Sequence, residues 1–393
     1  MANTVTALIP SIIAGVVRKL RSSTRMPALV NGDYNAGEAQ QVGNVINVPL
    51  PPTISTAAVS PSVTPTAVTN LTPTVAQIPI DQWRRSDAIH ITDKERRDIV
   101  ERNMIPPGIE AAVEALMAEA NQFIMGKYKG VYGYYGPDLT KVPFATISAA
   151  GDELNWAMQP VTILNNQKCP SGMRRGVIST AAHANAAMLA PFRDISQSGD
   201  DGPINTAAIG TKFGVDWYWD HDVPVHTAGT AAAATVTLIS NSDVADTSVT
   251  LKVASGTATV VEGDILTITG DTQTYVVTAG ATLTTSGVSV SIDPPLKIAV
   301  DGSSSPVNST IKASHKVHML FHKDAFAFVN RPLDDEDSEN STVQTIVDPI
   351  TGMTLRLETA RQNKLRTWEL DILYGAALVR PELACRIAGL TTG

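Results

Sequence analysis

Three closely spaced histidines, His315, His318 and His322, are the densest group of potential metal ligands or proton carriers in this 393-residue chain. On a strand His318 and His322 fall on one face and His315 on the other, and no carboxylate or cysteine stands at ligand spacing. Packing within a strand is therefore the plainer reading. His221 and His226, with Asp220 and Asp222, offer a second set, which reads more simply as a polar turn at a domain edge. Asp152 and Glu153 are adjacent, so their carboxyls diverge and make a poor acid–base pair. Cys169 and Cys385 are the only cysteines; far apart, they give neither a disulfide framework nor metal spacing, and read as small buried hydrophobes in a reducing cytoplasm. The chain has no Gly-x-Ser-x-Gly elbow, phosphate loop or dinucleotide fingerprint. The expectation is no catalytic residue, no metal and no cofactor.

The elements around these residues read as scaffold. Asn103–Lys129 is the best-defined helix, with Pro107 in its first turn, where a missing amide proton costs nothing. Glu110 and Glu114 lie near the positive end of its dipole, Lys127 and Lys129 near the negative end. Ile109, Val113, Leu116, Ala120 and Ile124 recur at helical spacing. Ahead of it, Thr92–Glu95 matches a capping box.

At the N-terminus, Leu8, Ile9, Ile12, Ile13, Val16, Val17 and Leu20 form one helical stripe. The positive charge follows this run, the reverse of a signal peptide, and the run is too short and interrupted to span a bilayer. An arm that docks on protein is expected, with no membrane. Residues 31–83 change character: Val45–Leu50 and Val75–Ile80 read as strands flanking a Thr/Ser/Pro-rich stretch whose Pro51, Pro52, Pro61, Pro65 and Pro73 exclude a helix. Within one compact domain so long a loop is out of place. A two-stranded arm lying on a neighbouring molecule accounts for it.

Beyond the helix, Tyr132, Tyr134 and Tyr135 make an aromatic turn. A helix or loop is expected around Trp156, a strand at Met173–Ile178, a helix at Thr180–Leu189 and a strand at Phe213–Trp219. Near Thr230 aromatics almost vanish. Five short strands (235–239, 248–253, 265–269, 274–278 and 288–292) separated by Gly, Asp and Ser turns predict a small antiparallel barrel inserted between linker-like flanks. It is expected to be autonomous, around Val236, Leu238, Val249, Leu251, Ile265, Ile268, Val276 and Ile292. The host resumes with a strand and turn over His315–Asn330, an acidic loop over 334–339, strands at Met353–Thr359 and Thr367–Tyr374, and a short apolar tail. The class is α+β. A net charge of −8 argues against a free nucleic-acid binder, though not against the wall of a DNA container.

Three ordered blocks carry a resemblance. They are NVINVPLPPTIST through VAQIPIDQWRRSDAIHITDKERRDI into IPPGIEAAVEALMAEANQFIMGKY; GTKFGVDWYWDHDVPVHTAGT into VEGDILTITGDTQTYVVTAGATL; and MLFHKDAFAFVNRPL followed by TWELDILYGAALVRPELACRIAG. Together they resemble the major capsid (coat) proteins of tailed double-stranded DNA bacteriophages, in the branch with an inserted β-barrel. The resemblance implies a Hong Kong 97-like capsid fold: N-terminal arm (1–30), extended loop and short helix (31–103), spine helix and peripheral domain (104–139), axial domain (140–227), inserted barrel (228–314) and returning strands (315–393). It implies self-assembly into pentamers and hexamers of an icosahedral head in the virion, formed in the host cytoplasm. The implied partners are scaffolding protein, portal, a decoration protein and packaged double-stranded DNA held non-specifically. The residues expected at subunit contacts are Ile9, Ile12, Ile13 and Val16 of the arm, and Trp83, Arg84 and Arg85 beside the loop. A virion-surface or extracellular β-rich adhesin is the alternative, weakened because Tyr275 is the lone aromatic of the barrel. A metal-dependent hydrolase using His315, His318 and His322 ranks behind both.

Some relatives of this fold lock their shells with an isopeptide bond from a lysine on the extended loop. Residues 31–83 contain no lysine. Boiling assembled particles in detergent is therefore expected to release single chains, and a ladder of covalent multimers would refute this.

Overall fold

Twenty residues, Pro107–Gly126, form the long helix, roughly 30 Å of it, and the rest of the host is wrapped on its apolar stripe. Ile109, Val113, Leu116, Ala120 and Ile124 are all buried, as their spacing requires. A single 3-10 turn, Lys127–Gly130, carries the chain on to the aromatic segment. The computed structural model describes residues 25–35, 45–51, 74–95, 107–149, 151–194, 209–303, 305–331, 341–347 and 353–392. The arm residues Ile9, Ile12, Ile13 and Val16, the Pro-rich stretch and the acidic loop lie outside them.

Two sheets pack on this helix. One is six-stranded, built on the fourteen-residue strand Leu365–Leu378, which pairs with Phe326–Arg331, Thr354–Gln362, Gln82–Arg85 and Ile89–Thr92. Ser341–Val347, which the sequence reading passed over, extends it beyond Thr354–Gln362. The other is a mixed seven-stranded sheet in the order Gly133–Tyr135, Ala384–Gly389, His315–His322, Arg174–Ser179, Val215–Asp220, Gly210–Lys212, with Val225–His226 also on His315–His322. The apolar tail is thus a strand near the sheet centre, every residue of it buried. Its run without alternation reflects cover on both faces. The segment around Trp156 is a twelve-residue helix, Asn155–Asn166, with the indole fully buried. A continuous apolar cluster joins the helix stripe to both sheets, through Phe321, Phe326, Phe328, Leu370 and Trp156.

The capping box is present: Thr92 N–H donates to Glu95 Oε2 at 2.9 Å, and Glu95 N–H donates to Thr92 Oγ1 at 3.2 Å.

Residues 236–311 form a closed barrel of six strands, where the sequence led us to expect five. The order is Val236–Leu238, Ser248–Val253, Val288–Asp293, Thr274–Val277, Ile265–Ile268, Val307–Ile311. The closing strand Val307–Ile311 was hidden by its composition. Asn308 and Thr310 face outward and the inward position between them is a serine, Ser309, so the strand lacks an apolar alternation. Two anticipated barrel-core residues, Ile265 and Val276, instead pack with Tyr132, Tyr134 and Ala388 of the host. The barrel therefore has an apolar seat on the host as well as an interior.

Val45–Leu50 and Thr74–Pro79 form a two-stranded antiparallel ribbon, with Val45 opposite Pro79 and Leu50 opposite Thr74. Ile46, Val48, Ile78 and Ile80 bury one face against Ala327, Val329 and Val379 of the six-stranded sheet. Each such burial contributes about 1.5–3 kcal/mol. Gly375 makes the seat possible: a Cβ there would stand 2.1 Å from Pro79 O and 2.9 Å from Ile80 Cα. Both are backbone atoms and cannot swing aside. Gly375→Ala is expected to cost about 2–3 kcal/mol of stability and to expose the ribbon to protease. An unchanged melt with an unchanged cleavage pattern would show that the ribbon is not seated there.

Candidate assembly surface and the barrel junction

Gln82–Arg85 leaves the ribbon and runs antiparallel to the long strand, pairing Trp83 with Leu373 and Arg85 with Asp371. Trp83 is 63% exposed although its indole is pinned, because Nε1–H donates to Asp371 Oδ2 at 3.0 Å. Asp371 is itself buried and held by Arg356 through two bonds, 2.9 Å from Nε and 2.6 Å from Nη2. The ring is thus presented to solvent at a fixed angle. Arg84 reaches Glu119 of the long helix at 3.0 Å and Arg85 reaches Glu369 at 3.1 Å. Exposed pairs of this kind are worth about 0–1 kcal/mol, so they position the arginines more than they stabilise the fold. Of the three residues singled out from sequence, Trp83 and Arg85 share the face that carries Asp371 and Glu369, while Arg84 points to the other face, against the long helix. The organiser of the first face, Asp371, was not anticipated.

The histidines go to separate places. His318 Nδ1 accepts from Ser179 N–H at 3.0 Å, and His322 Nδ1 accepts from Asp324 N–H at 3.2 Å. His315 Nδ1 donates to Ala313 O at 2.7 Å, with its ring 5.3 Å from that of His226. Burial lowers the pKa of His315 to about 4 and of His318 to about 3, so both are neutral at pH 7.

Among the described residues, ligand atoms close enough for a metal occur only at Asp220, His221 and Asp222. There both carboxylates are already engaged. Asp220 accepts from Asn121 Nδ2 at 2.9 Å and from Asp222 N–H at 2.8 Å; Asp222 accepts from Gln122 Nε2 at 3.2 Å. Asn121 Oδ1 in turn accepts from Met26 N–H at 3.0 Å. One buried amide on the long helix thus ties the N-terminal turn, the helix and the seven-stranded sheet together. His226 belongs elsewhere.

It belongs to the barrel junction. His226 Nε2–H donates to Asp264 Oδ1 at 2.9 Å, while its Nδ1 accepts from Tyr128 O–H at 3.1 Å. Asp264 has no exposure, and its carboxylate also accepts from Val261 N–H at 2.8 Å and Gly229 N–H at 3.2 Å. Arg386, equally buried, donates to Gly263 O at 2.8 Å and Lys129 O at 3.0 Å, with its guanidinium 5.1 Å from the Tyr128 ring centre. Burial pulls the Arg386 pKa down to about 10, which leaves it charged. The order Tyr–His–Asp looks like a proton relay. Its Tyr, His and Asp are all buried, however, so no substrate reaches it, and its chemistry is that of a fastening between barrel, helix and C-terminal strand. Both cysteines are free and buried, and burial raises the pKa of each. No helix among the described residues is long and apolar enough to cross a membrane.

Because His315 and His318 are held neutral, the unfolded chain takes up protons first as pH falls below their ordinary pKa of about 6.5. Their contribution is fully present above that pH and is lost as pH falls towards the folded values. At about pH 5 the loss is on the order of 2 kcal/mol per histidine. His318→Gln, which keeps an acceptor for Ser179, is expected to flatten the pH dependence of the urea midpoint by about half between pH 7 and 5. An unchanged slope would refute the assignment.

No family model matches the chain, and neither does any curated protein. Solved structures to which it is similar include one from Mycobacterium phage Che8, at 13% identity and TM-score 0.48, covering 94% of this chain and 92% of that one. The capsid structure of the cyanophage P-SCSP1u follows at 11% identity and TM-score 0.46, covering 88% and 84%. The asymmetric unit of the bacteriophage PhiM1 mature capsid stands at 10% and 0.44, covering 89% and 83%.

Proposed function

We propose that this chain is a structural subunit, a major capsid protein whose copies assemble as pentamers and hexamers into an icosahedral head around double-stranded DNA. The observation that carries the reading is the ribbon of Val45–Leu50 and Thr74–Pro79. It pairs only with itself among the named strands, and buries one face on its own sheet while Val45 and Val75 stand nearly half exposed. Its outer face and the pinned ring of Trp83 call for cover from another copy. The sequence pattern of Ile9, Ile12, Ile13 and Val16, which lie outside the described residues, would supply a second apolar contact of the same purpose.

A shell of this kind multiplies modest contacts by copy number, so no single interface has to be strong. The net negative charge keeps an inner wall from gripping packaged DNA. Scaffolding protein, portal and a decoration protein are the further partners that this reading brings, with assembly in the host cytoplasm and residence in the virion.

Sedimentation and negative-stain microscopy test it. Capsomers or closed shells are expected; a monomer over a wide concentration range, with no particles in lysate, would overturn it. Trp83→Ala is expected to lower particle yield several-fold while moving the melt of the unassembled chain little, since an exposed ring contributes little within one chain.

A further inference from the structure

At the seam between barrel and host lies a cleft of about 380 Å³, well away in sequence from every residue the assembly reading uses. Its host wall is the pair Tyr132 and Tyr134 with the last turn of the helix Asn155–Asn166, which presents Ile163 and Asn166, followed by Gln167. Its barrel wall is the turn Thr272–Thr274 with Lys297. The two walls are fastened to one another: Thr274 Oγ1 donates to Tyr132 O at 2.6 Å, and Ile265 and Val276 pack against both tyrosines. The cleft is therefore preformed, and at the small end of ligand sites, which span roughly 300–1,000 Å³.

The lining selects for charge and polarity. No carboxylate borders the cleft, and its single charged group is a lysine, so a cation finds nothing to pair with. An anion would be attracted by Lys297, but it would also meet the C-terminal end of a helix, whose partial negative charge offsets part of that attraction. A purely apolar ligand would strand three amides, Asn166, Gln167 and Gln273, and two threonine hydroxyls. These amides present donors and acceptors side by side, the arrangement that vicinal hydroxyls complement. Gln167 Oε1 is shut off from solvent without a hydrogen-bond partner, so its amide gains by turning to a donor in the cleft. The exposed edges of the otherwise buried Tyr132 and Tyr134 rings, with Ile163, add one apolar border. Burial raises the pKa of both tyrosines, so they stay neutral.

We infer that this seam is a binding site for an uncharged saccharide, one or two rings long, whose hydroxyls meet the amides of Asn166, Gln167 and Gln273 and whose C–H face meets the tyrosine edges. The inference is independent of shell assembly, because it uses none of the ribbon, the arm or the Trp83 patch.

The test is saturation-transfer NMR on the full chain, assembled or not. The probes are methyl α-glucoside, methyl β-galactoside and N-acetylglucosamine, with inorganic phosphate as competitor; chitobiose and maltose separate a free sugar from a chain end. The expected result is transfer to at least one sugar, strongest at its C–H face and undisturbed by phosphate. Asn166→Ala and Gln273→Ala, whose side chains make no hydrogen bond among the described residues, are expected each to weaken binding about tenfold without moving the melt. Binding that survives both substitutions, displacement by phosphate, or no transfer to any probe would overturn the proposal. So would a loss of particle yield in these variants without sugar binding, which would make the cleft a contact between copies.

Discussion

A carboxylate with no access to water has to find its donors in the protein, and Asp264 finds them in His226, Gly229 and Val261. That requirement fixes the inserted barrel. Val261 brings the barrel's own turn, Gly229 the point where the chain enters the barrel, and His226 a strand of the host sheet. A Cβ at Gly229 would stand 2.1 Å from Thr259 O, so the entry can be this close only without a side chain. Arg386 completes the joint from the C-terminal strand by binding two carbonyls, one on each side. Removing either charged group alone would leave the other buried and less compensated, which is costly. The joint is therefore all-or-none, and suits a domain that has to hold one orientation.

Periodicity exposed most of the elements and little of the joints. The long helix could be read from Ile109 to Ile124 because its stripe is regular and its proline sits where helices begin. The ribbon strands and the returning strands were visible for the same reason. The barrel's closing strand was not, since Val307–Ile311 carries polar residues on its open face and looks like the linker beside it. The C-terminal strand was passed over as a tail because burial on both faces erases alternation. Asn121, Asp264, Asp371 and Arg386, which hold the parts in place, gave no signal at all. Each is an isolated polar residue in an ordinary context, and its importance comes from groups that sequence spacing does not connect, from 38 residues away for Asp264 and His226 to 288 for Asp371 and Trp83.

The histidines illustrate the same limit from the other side. Their clustering in the sequence looked like chemistry, yet the strand distributes them among three separate hydrogen-bond sets. Burial then keeps His315 and His318 neutral, which makes them acceptors, donors and ring surfaces rather than proton carriers. The Asp220–Asp222 turn, equally suggestive, spends its carboxylates on Asn121 and Gln122. In both cases polar side chains join elements, although the Nε2 atoms of His315 and His318 stay buried without a hydrogen-bond partner.

The exposed residues complete the contrast. At the junctions described above, buried polar groups are paired across elements; at Trp83 a large exposed apolar ring is held in place. A ring left to roam would lose conformational entropy on docking, whereas this one is pre-set by Asp371 and Arg356. A pinned, exposed indole beside a half-covered ribbon has already met part of the ordering cost of association. Such an arrangement would suit the proposed assembly, in which each copy would arrive with its contact geometry formed. It also explains why two exposed ion pairs, worth little to the fold, are retained beside it: Arg84–Glu119 and Arg85–Glu369 keep the strand that bears Trp83 aligned with the long helix and the long strand.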